Sequence, residues 1–331
     1  MNRAWLPATL ALWLASTGPA GCAEAPRWGF ALDGNPITAA QLDPLIRETG
    51  FKPGLIVCFQ QWPENPAAQD FPKVSLEAIA AVGAEAVITW EPMFYRAGGV
   101  ETMIPAEQIT AGKYDAYITG FARQAAAWGK PMIIRFAHEM NLSRYHWGGT
   151  EKEYGPASPA RYQAMWRHVV TRFREAGAKN VRWAFCPNAE SIPGVGNPSA
   201  APWNTARAYY PGDAWVDLVG VDGYNWGDTQ TPEKHGWRSS WRSFASVFAA
   251  AHAELRTLAP AKPVYVFETA CASTGGDKAA WLADLAATTQ AWKLAGVVWF
   301  NANKEIDWRL ATGVAAEKLE PLRRTFGAQG F

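Results

Sequence analysis

The chain has 331 residues, 31 Lys and Arg against 30 Asp and Glu, and a formal charge of +1. That length can bury a sizeable core, and barrels reach it as one domain, while the balanced charge supplies no broad field to draw nucleic acid or an anionic lipid surface. The unusual quantity is 18 Trp beside 10 Tyr and 15 Phe in a chain only 18% charged, which suits both core filling and stacking against sugar faces.

Residues 1–23 read as an export leader: Arg3, an apolar run from Ala4 to Ala15, then small residues around Pro19. The run is too short to span a bilayer. Cleavage after Ala23 or Ala25 would release the mature chain to the periplasm, outer surface or medium. The alternative is a lipoprotein leader, since Ala20-Gly21-Cys22 resembles the end of a lipobox and would place a lipid anchor on Cys22. Pro19 fits that box poorly, so ordinary secretion with Cys22 discarded is preferred. No later segment reads as transmembrane, and residues 24–331 read as one domain acting as a monomer.

From Arg27 onward, apolar runs rich in Val, Ile, Phe and Trp occupy 28–32, 55–59, 86–90, 132–137, 181–186, 218–221, 264–267 and 297–300. Ala-rich stretches with helical spacing lie between them, at 75–82, 114–128, 159–175, 237–258 and 278–293. Gly129, Gly177 and Gly296 stand where helices must stop before the next strand. Strands alternating with helices predict an α/β fold with a parallel sheet, and eight runs is the number that closes a single (β/α)8 TIM barrel. Long loops after the fourth, fifth and sixth runs carry Gly, Pro, Asn and Trp, as the C-terminal face of such a barrel requires.

With Cys22 removed, Cys58, Cys186 and Cys271 remain, with no C-x-x-C pair and no His-rich companion. The pattern does not support a structural zinc site. At most one disulfide is open to three thiols, and buried reduced cysteines at strand ends are the preferred reading.

A carboxylate at a strand end is costly if buried unpaired. Three such acids stand out: Glu91 after the third run, Glu139 after the fourth and Glu268 after the seventh. Strands four and seven lie three steps apart round an eight-stranded ring, so Glu139 and Glu268 are placed to face one cleft. Retaining glycosidases need a pair of this kind, one carboxyl attacking the sugar carbon and one protonating the leaving oxygen.

Three segments make the resemblance specific. Arg135-Phe136-Ala137-His138-Glu139-Met140-Asn141 resembles the acid/base motif of glycoside hydrolase family 26. Tyr210-Pro211-Gly212-Asp213 with Gly220-Val221-Asp222-Gly223-Tyr224-Asn225 is similar to that family's sixth strand and its approach, and Lys262-Pro263-Val264-Tyr265-Val266-Phe267-Glu268 to its nucleophile strand. The resemblance implies a retaining endo-β-glycanase without cofactor or metal, with a polysaccharide substrate: β-1,4-mannan first, mixed-linkage β-glucan or β-xylan as the alternative. It further implies that Glu139 is acid/base, Glu268 nucleophile, Tyr224 a hydrogen-bond donor to Glu268, His138 a contact to sugar hydroxyls and Trp299 the floor under the attacked sugar.

Asn141, Trp147 and Trp226 are expected to contact substrate. Leu142 stands where the family often has Gly, although Tyr145 and Trp147 match the aromatic positions that follow. Arg135 is expected beneath the cleft, holding a carboxylate charged. Glu91 divides evenly between binding sugar and pairing with an Arg. A non-catalytic carbohydrate-binding barrel is the minor reading from another class and would be expected to lack one carboxylate. Five scattered His argue against a metal-dependent deacetylase, and no Gly-x-Ser-x-Gly elbow supports a serine hydrolase.

Overall fold

A computed structural model describes residues 25–145, 147, 154–194 and 201–327; the leader and Cys22 lie outside the described residues. All eight runs form strands: β1 (Arg27–Ala31), β2 (Leu55–Gln61), β3 (Glu85–Glu91), β4 (Met132–Phe136), β5 (Val181–Phe185), β6 (Leu218–Asn225), β7 (Val264–Cys271) and β8 (Gly296–Phe300). Each pairs in parallel with its neighbours and β8 returns to β1, so the sheet closes in the order β1-β8-β7-β6-β5-β4-β3-β2. Helices cover one face of every strand and side chains fill the interior, which is why the strands read in sequence as unbroken apolar runs.

The covering helices include α1 (Ala39–Thr49), α2 (Lys73–Ala81), α3 (Asp115–Trp128), α4 (Ser158–Glu175), α5 (Phe244–Leu258), α6 (Lys278–Trp292) and α7 (Glu320–Phe326). Gly129 ends α3 in the left-handed region, at φ 71°, as its place in the sequence predicts. Gly220 has a different reason to be glycine, because a Cβ there would lie 2.3 Å from the Phe267 ring on the adjacent strand.

Two departures from the sequence expectation bear on the site. Helix α5 begins at Phe244, not 237, because the Ser243 hydroxyl accepts the Ser246 amide at 3.1 Å and caps it there. Residues 237–242 are instead part of a loop, several of whose side chains line the cleft at the barrel mouth. An antiparallel ribbon, Met93–Arg96 with Val100–Met103, follows β3 and turns through Gly98 and Gly99, at φ 80° and 75°. Its Glu101 carboxylate pairs with Arg144 at 2.7 Å, near the mouth.

At the opposite end of the barrel, Glu85 accepts Arg27 at 2.6 Å and Arg182 at 2.8 Å. Cys58, Cys186 and Cys271 are free and buried, and burial pushes the Cys58 thiol up to about 12. No described helix is long and apolar enough to cross a membrane.

Candidate active site

The chain leaves β4 in a strained path: Ala137 and Glu139 both take left-handed backbone, at φ 46° and 50°, which costs of order 1–3 kcal/mol per non-glycine residue. The Glu139 amide donates to the carbonyl of Cys186, just past β5, at 2.8 Å, fixing that turn. The Glu139 side chain is buried and accepts a hydrogen bond from Asn188 Nδ2 at 2.7 Å. Burial, and then the charge of Glu268, raise its pKa to about 7 against the opposing pull of Asn188 and Arg135. At neutral pH Glu139 therefore holds a proton much of the time.

Glu268 ends the inner part of β7 in a different setting. Its carboxylate accepts the Tyr224 hydroxyl at 2.6 Å and a charge-assisted hydrogen bond from Arg135 Nη2. Arg135, on β4 and without solvent exposure, also donates to Asp222 and, through Nε at 3.0 Å, to the Thr89 hydroxyl. Burial opposes the guanidinium charge, but Asp222 and Glu268 outweigh it and keep Arg135 protonated. Strands β3, β4, β6 and β7 thus contribute one interior network, in which Asp222 also accepts the Cys186 thiol at 3.2 Å.

His138 lies against the same cleft, its ring 4.9 Å from that of Tyr145. Burial, then the charges of Arg135, Arg144 and Lys304, hold its pKa well below the usual range, so the imidazole is neutral. Its Nδ1 is buried without a partner among the described residues. His138, Asp222 and Glu268 each place a donor atom within 4.8 Å of the others. Arg135 already sits between the two carboxylates, so an ion there would meet a guanidinium, and the trio does not fit a resident metal.

Glu139, Glu268, His138, Tyr224 and Trp226 all line one cleft of about 860 Å3, with Arg135 beneath it. Four expected substrate contacts do not line it. Trp299 is fully buried, edge-on to Trp281 of α6 at 6.0 Å and donating through Nε1 to the Trp308 carbonyl at 2.8 Å. Successive side chains on a strand face opposite ways, so Trp299 meets the helices while Phe300 and the loop residue Trp308 form the aromatic floor. Trp147 is buried behind the cleft, stacked on Tyr145 at 5.1 Å and hydrogen-bonded to the His138 carbonyl.

Asn141 holds the β5 loop rather than facing the cleft: its Oδ1 accepts the Asn188 amide at 2.8 Å and its Nδ2 donates to the Asn188 carbonyl at 2.9 Å. Glu91 is buried beside β2, accepting Gln61 Nε2, and burial raises its pKa to about 7. The sequence reading missed Asn188, Asp222, Phe300 and Trp308 as parts of the site. Asn188 carried a signal, since it follows the fifth run at the level where Glu139 follows the fourth.

Two glutamates lining one aromatic cleft of a (β/α)8 barrel, one beside a neutral amide and one paired with Arg, are the kind of arrangement that glycosidases use. The model of glycosyl hydrolase family 26 matches residues 113–266, a span that includes Glu139 and stops two residues before Glu268. Endoglucanase H of Acetivibrio thermocellus is 36% identical over 255 residues, covering 76% of this chain and 25% of that protein. A mannan endo-1,4-beta-mannosidase of Bifidobacterium adolescentis is 30% identical over 147 residues, 41% of this chain and 13% of the other. The chain thus spans a quarter or less of the length of these relatives. Among solved structures, a Bacillus subtilis mannanase superposes with a TM-score of 0.60 at 17% identity, covering 89% of this chain and 84% of the other. A β-mannanase from Bacteroides ovatus gives 0.58 at 17% identity, covering 91% and 89%. The family model and these relatives make the chain similar to glycosyl hydrolase family 26.

Proposed function

We propose that the protein is a retaining endo-β-glycanase in which Glu139 is the general acid/base and Glu268 the nucleophile. The observation that carries this reading is the contrast in partners between two carboxyls of one cleft, Glu139 beside the neutral Asn188 amide and Glu268 between the Arg135 guanidinium and the Tyr224 hydroxyl. Glu139, with its pKa raised to about 7, has a proton to give to the leaving glycosidic oxygen. Glu268, held by Arg135 and Tyr224, presents a charged oxygen to the anomeric carbon. Attack forms a glycosyl ester on Glu268 as Glu139 protonates the departing chain. Glu139, now ionised, then takes a proton from water as it opens the ester, restoring both groups with retained configuration. Neutral His138 and the aromatic rings of Tyr224, Phe300 and Trp308 present hydrogen-bonding and stacking surfaces to the sugar held between them.

The substrate we assign first is β-1,4-mannan, and the internal cut rests on the several aromatic side chains spread along the cleft. Mixed-linkage β-glucan is a second reading, favoured by the 36% identical relative named endoglucanase H. A buried polar group deprived of its hydroxyl partner costs roughly 1–3 kcal/mol, so a few contacts separate epimeric sugars by one or two orders of magnitude in rate. Digestion of mannan, lichenan and xylan side by side, with products sized over time, tests both. Early oligosaccharides from mannan are expected; monosaccharide alone from the outset would defeat the internal cut, and activity confined to lichenan would transfer the specificity to β-glucan. The leader at residues 1–23 supports export. Intact mass of the mature protein checks this: a chain starting at Met1 refutes it, and a lipid adduct on Cys22 selects the anchored form.

A further inference from the structure

Trp237 lies outside everything the reaction needs, yet it lines the cleft. It is 45% exposed, the one Trp among the described residues with so much open surface. One exposed aromatic needs no explanation by itself, but this one belongs to a row of rings along the cleft. Its ring meets Trp226 edge-on at 5.8 Å and 83°, Trp226 meets Trp308 edge-on at 4.8 Å, and Trp308 lies 5.1 Å from the ring of Tyr224, the residue bonded to Glu268. A line of rings thus runs outward from the nucleophile to the rim, with Trp237 at its open end.

The loop that presents Trp237 is fixed on both sides of it. The Gln230 amide donates to Ser239 Oγ at 3.0 Å, and the Ser239 amide returns to the Gln230 carbonyl at 3.2 Å. Thr231 donates its amide to His235 Nδ1 at 3.0 Å, and the Arg242 amide reaches Asn225 Oδ1, at the end of β6, at 3.1 Å. An exposed ring held by its backbone in advance loses little conformational freedom when a ligand covers it. The neighbours Arg238, Ser239 and Ser240 also line the cleft and supply donors suited to hydroxyl groups rather than to a second apolar surface.

We infer that Trp237 is a sugar-stacking platform at the β6 rim of the cleft, taking a neutral pyranose unit of the chain beyond the unit attacked by Glu268. The inference rests on the carbohydrate reading of the cleft and adds to it a subsite remote from the bond that is cut. A contact made equally in ground and transition states changes KM and leaves kcat alone. Its effect must also appear only with substrates long enough to reach it.

The test compares wild type, Trp237→Ala and Trp237→Phe on β-1,4-manno-oligosaccharides and mixed-linkage gluco-oligosaccharides of three to six units, and on an aryl glycoside of a single sugar. For Trp237→Ala, KM on the six-unit substrate is expected to rise about 10-fold with kcat within about twofold, as loss of one stacking contact implies. The aryl glycoside should be unaffected, and Trp237→Phe should recover most of the difference. An equal loss at every length would show that Trp237 supports the cleft instead, and no change on the longest oligosaccharide would overturn the subsite. If wild type cut none of these, the hydrolase reading would fail. Hexasaccharide binding followed by tryptophan fluorescence, wild type against Trp237→Ala, would still decide whether the platform exists.

Discussion

The β4 wall and the β7 wall of the cleft carry the same residue type and treat it in opposite ways. Among the described residues Glu139 meets one neutral donor, Asn188, while Glu268 meets a guanidinium and a phenol. Burial and the nearby charge of Glu268 raise the Glu139 pKa to about 7, whereas Glu268 is tied directly to the Arg135 guanidinium. On the proposed reading, the division of labour between acid and nucleophile resides in neighbours, since the glutamates themselves are chemically identical.

The largest expected effect breaks the β7 side. Glu268→Ala should lose at least about 10^4-fold in kcat on polysaccharide and aryl substrate alike, because no attacking group remains. On the β4 side, Glu139→Ala should cost about 10^2–10^4-fold on polysaccharide and far less on aryl glycosides whose leaving groups need no proton. Added azide should restore turnover in the Glu139 variant; rescue of the Glu268 variant alone, with retained configuration, would reverse the two roles.

Arg135 sharpens the comparison through stability. Replacing it with Met leaves Asp222 and Glu268 facing each other in the interior, and denaturant unfolding should show a loss of about 3–5 kcal/mol. Arg182→Met at the other end of the barrel removes one of two partners from Glu85 near solvent and should cost no more than about 1 kcal/mol. Equal losses would show that the interior network has no special energetic standing.

The smallest effect concerns protons. Glu139 titrates near 7 in the folded chain, above its ordinary value of 4.5. The proton is thus bound more tightly in the folded state, and the stability it contributes is complete below about 4.5 and lost as pH rises through about 7. Glu139→Gln removes this dependence, so Tm measured from acid to mildly alkaline pH should fall less steeply in the variant than in wild type. Activity of wild type should decline above about pH 7 as the acid loses its proton. A kcat/KM profile flat through that region would sink the assignment of Glu139 as acid.

Much of this was written locally. Eight apolar runs separated by helical stretches specify eight strands, and closure follows because an open parallel sheet of that size would leave unpaired edges. Glu139 and Glu268 are legible for the same reason, since each is the first acid past an apolar run and the ring brings those strand ends to one mouth. Residues 237–242 were misread as helix because Trp and Arg at helical spacing precede α5, whereas the Ser243 cap marks the true start.

Tertiary structure alone decided which ring lines the cleft. Trp299 and Phe300 are adjacent in a strand buried on both sides, so no alternation in the sequence tells inside from outside. Packing against Trp281 draws Trp299 outward, leaving Phe300, with Trp308 from the following loop, to line the cleft. The sequence likewise names Asn141 and Asn188 without joining them, because a contact across 47 positions exists only once β4 and β5 lie side by side. What a sequence fixes by itself is period and order along the chain; which polar group meets which, and so where each proton resides, depends on distances that only the closed barrel sets.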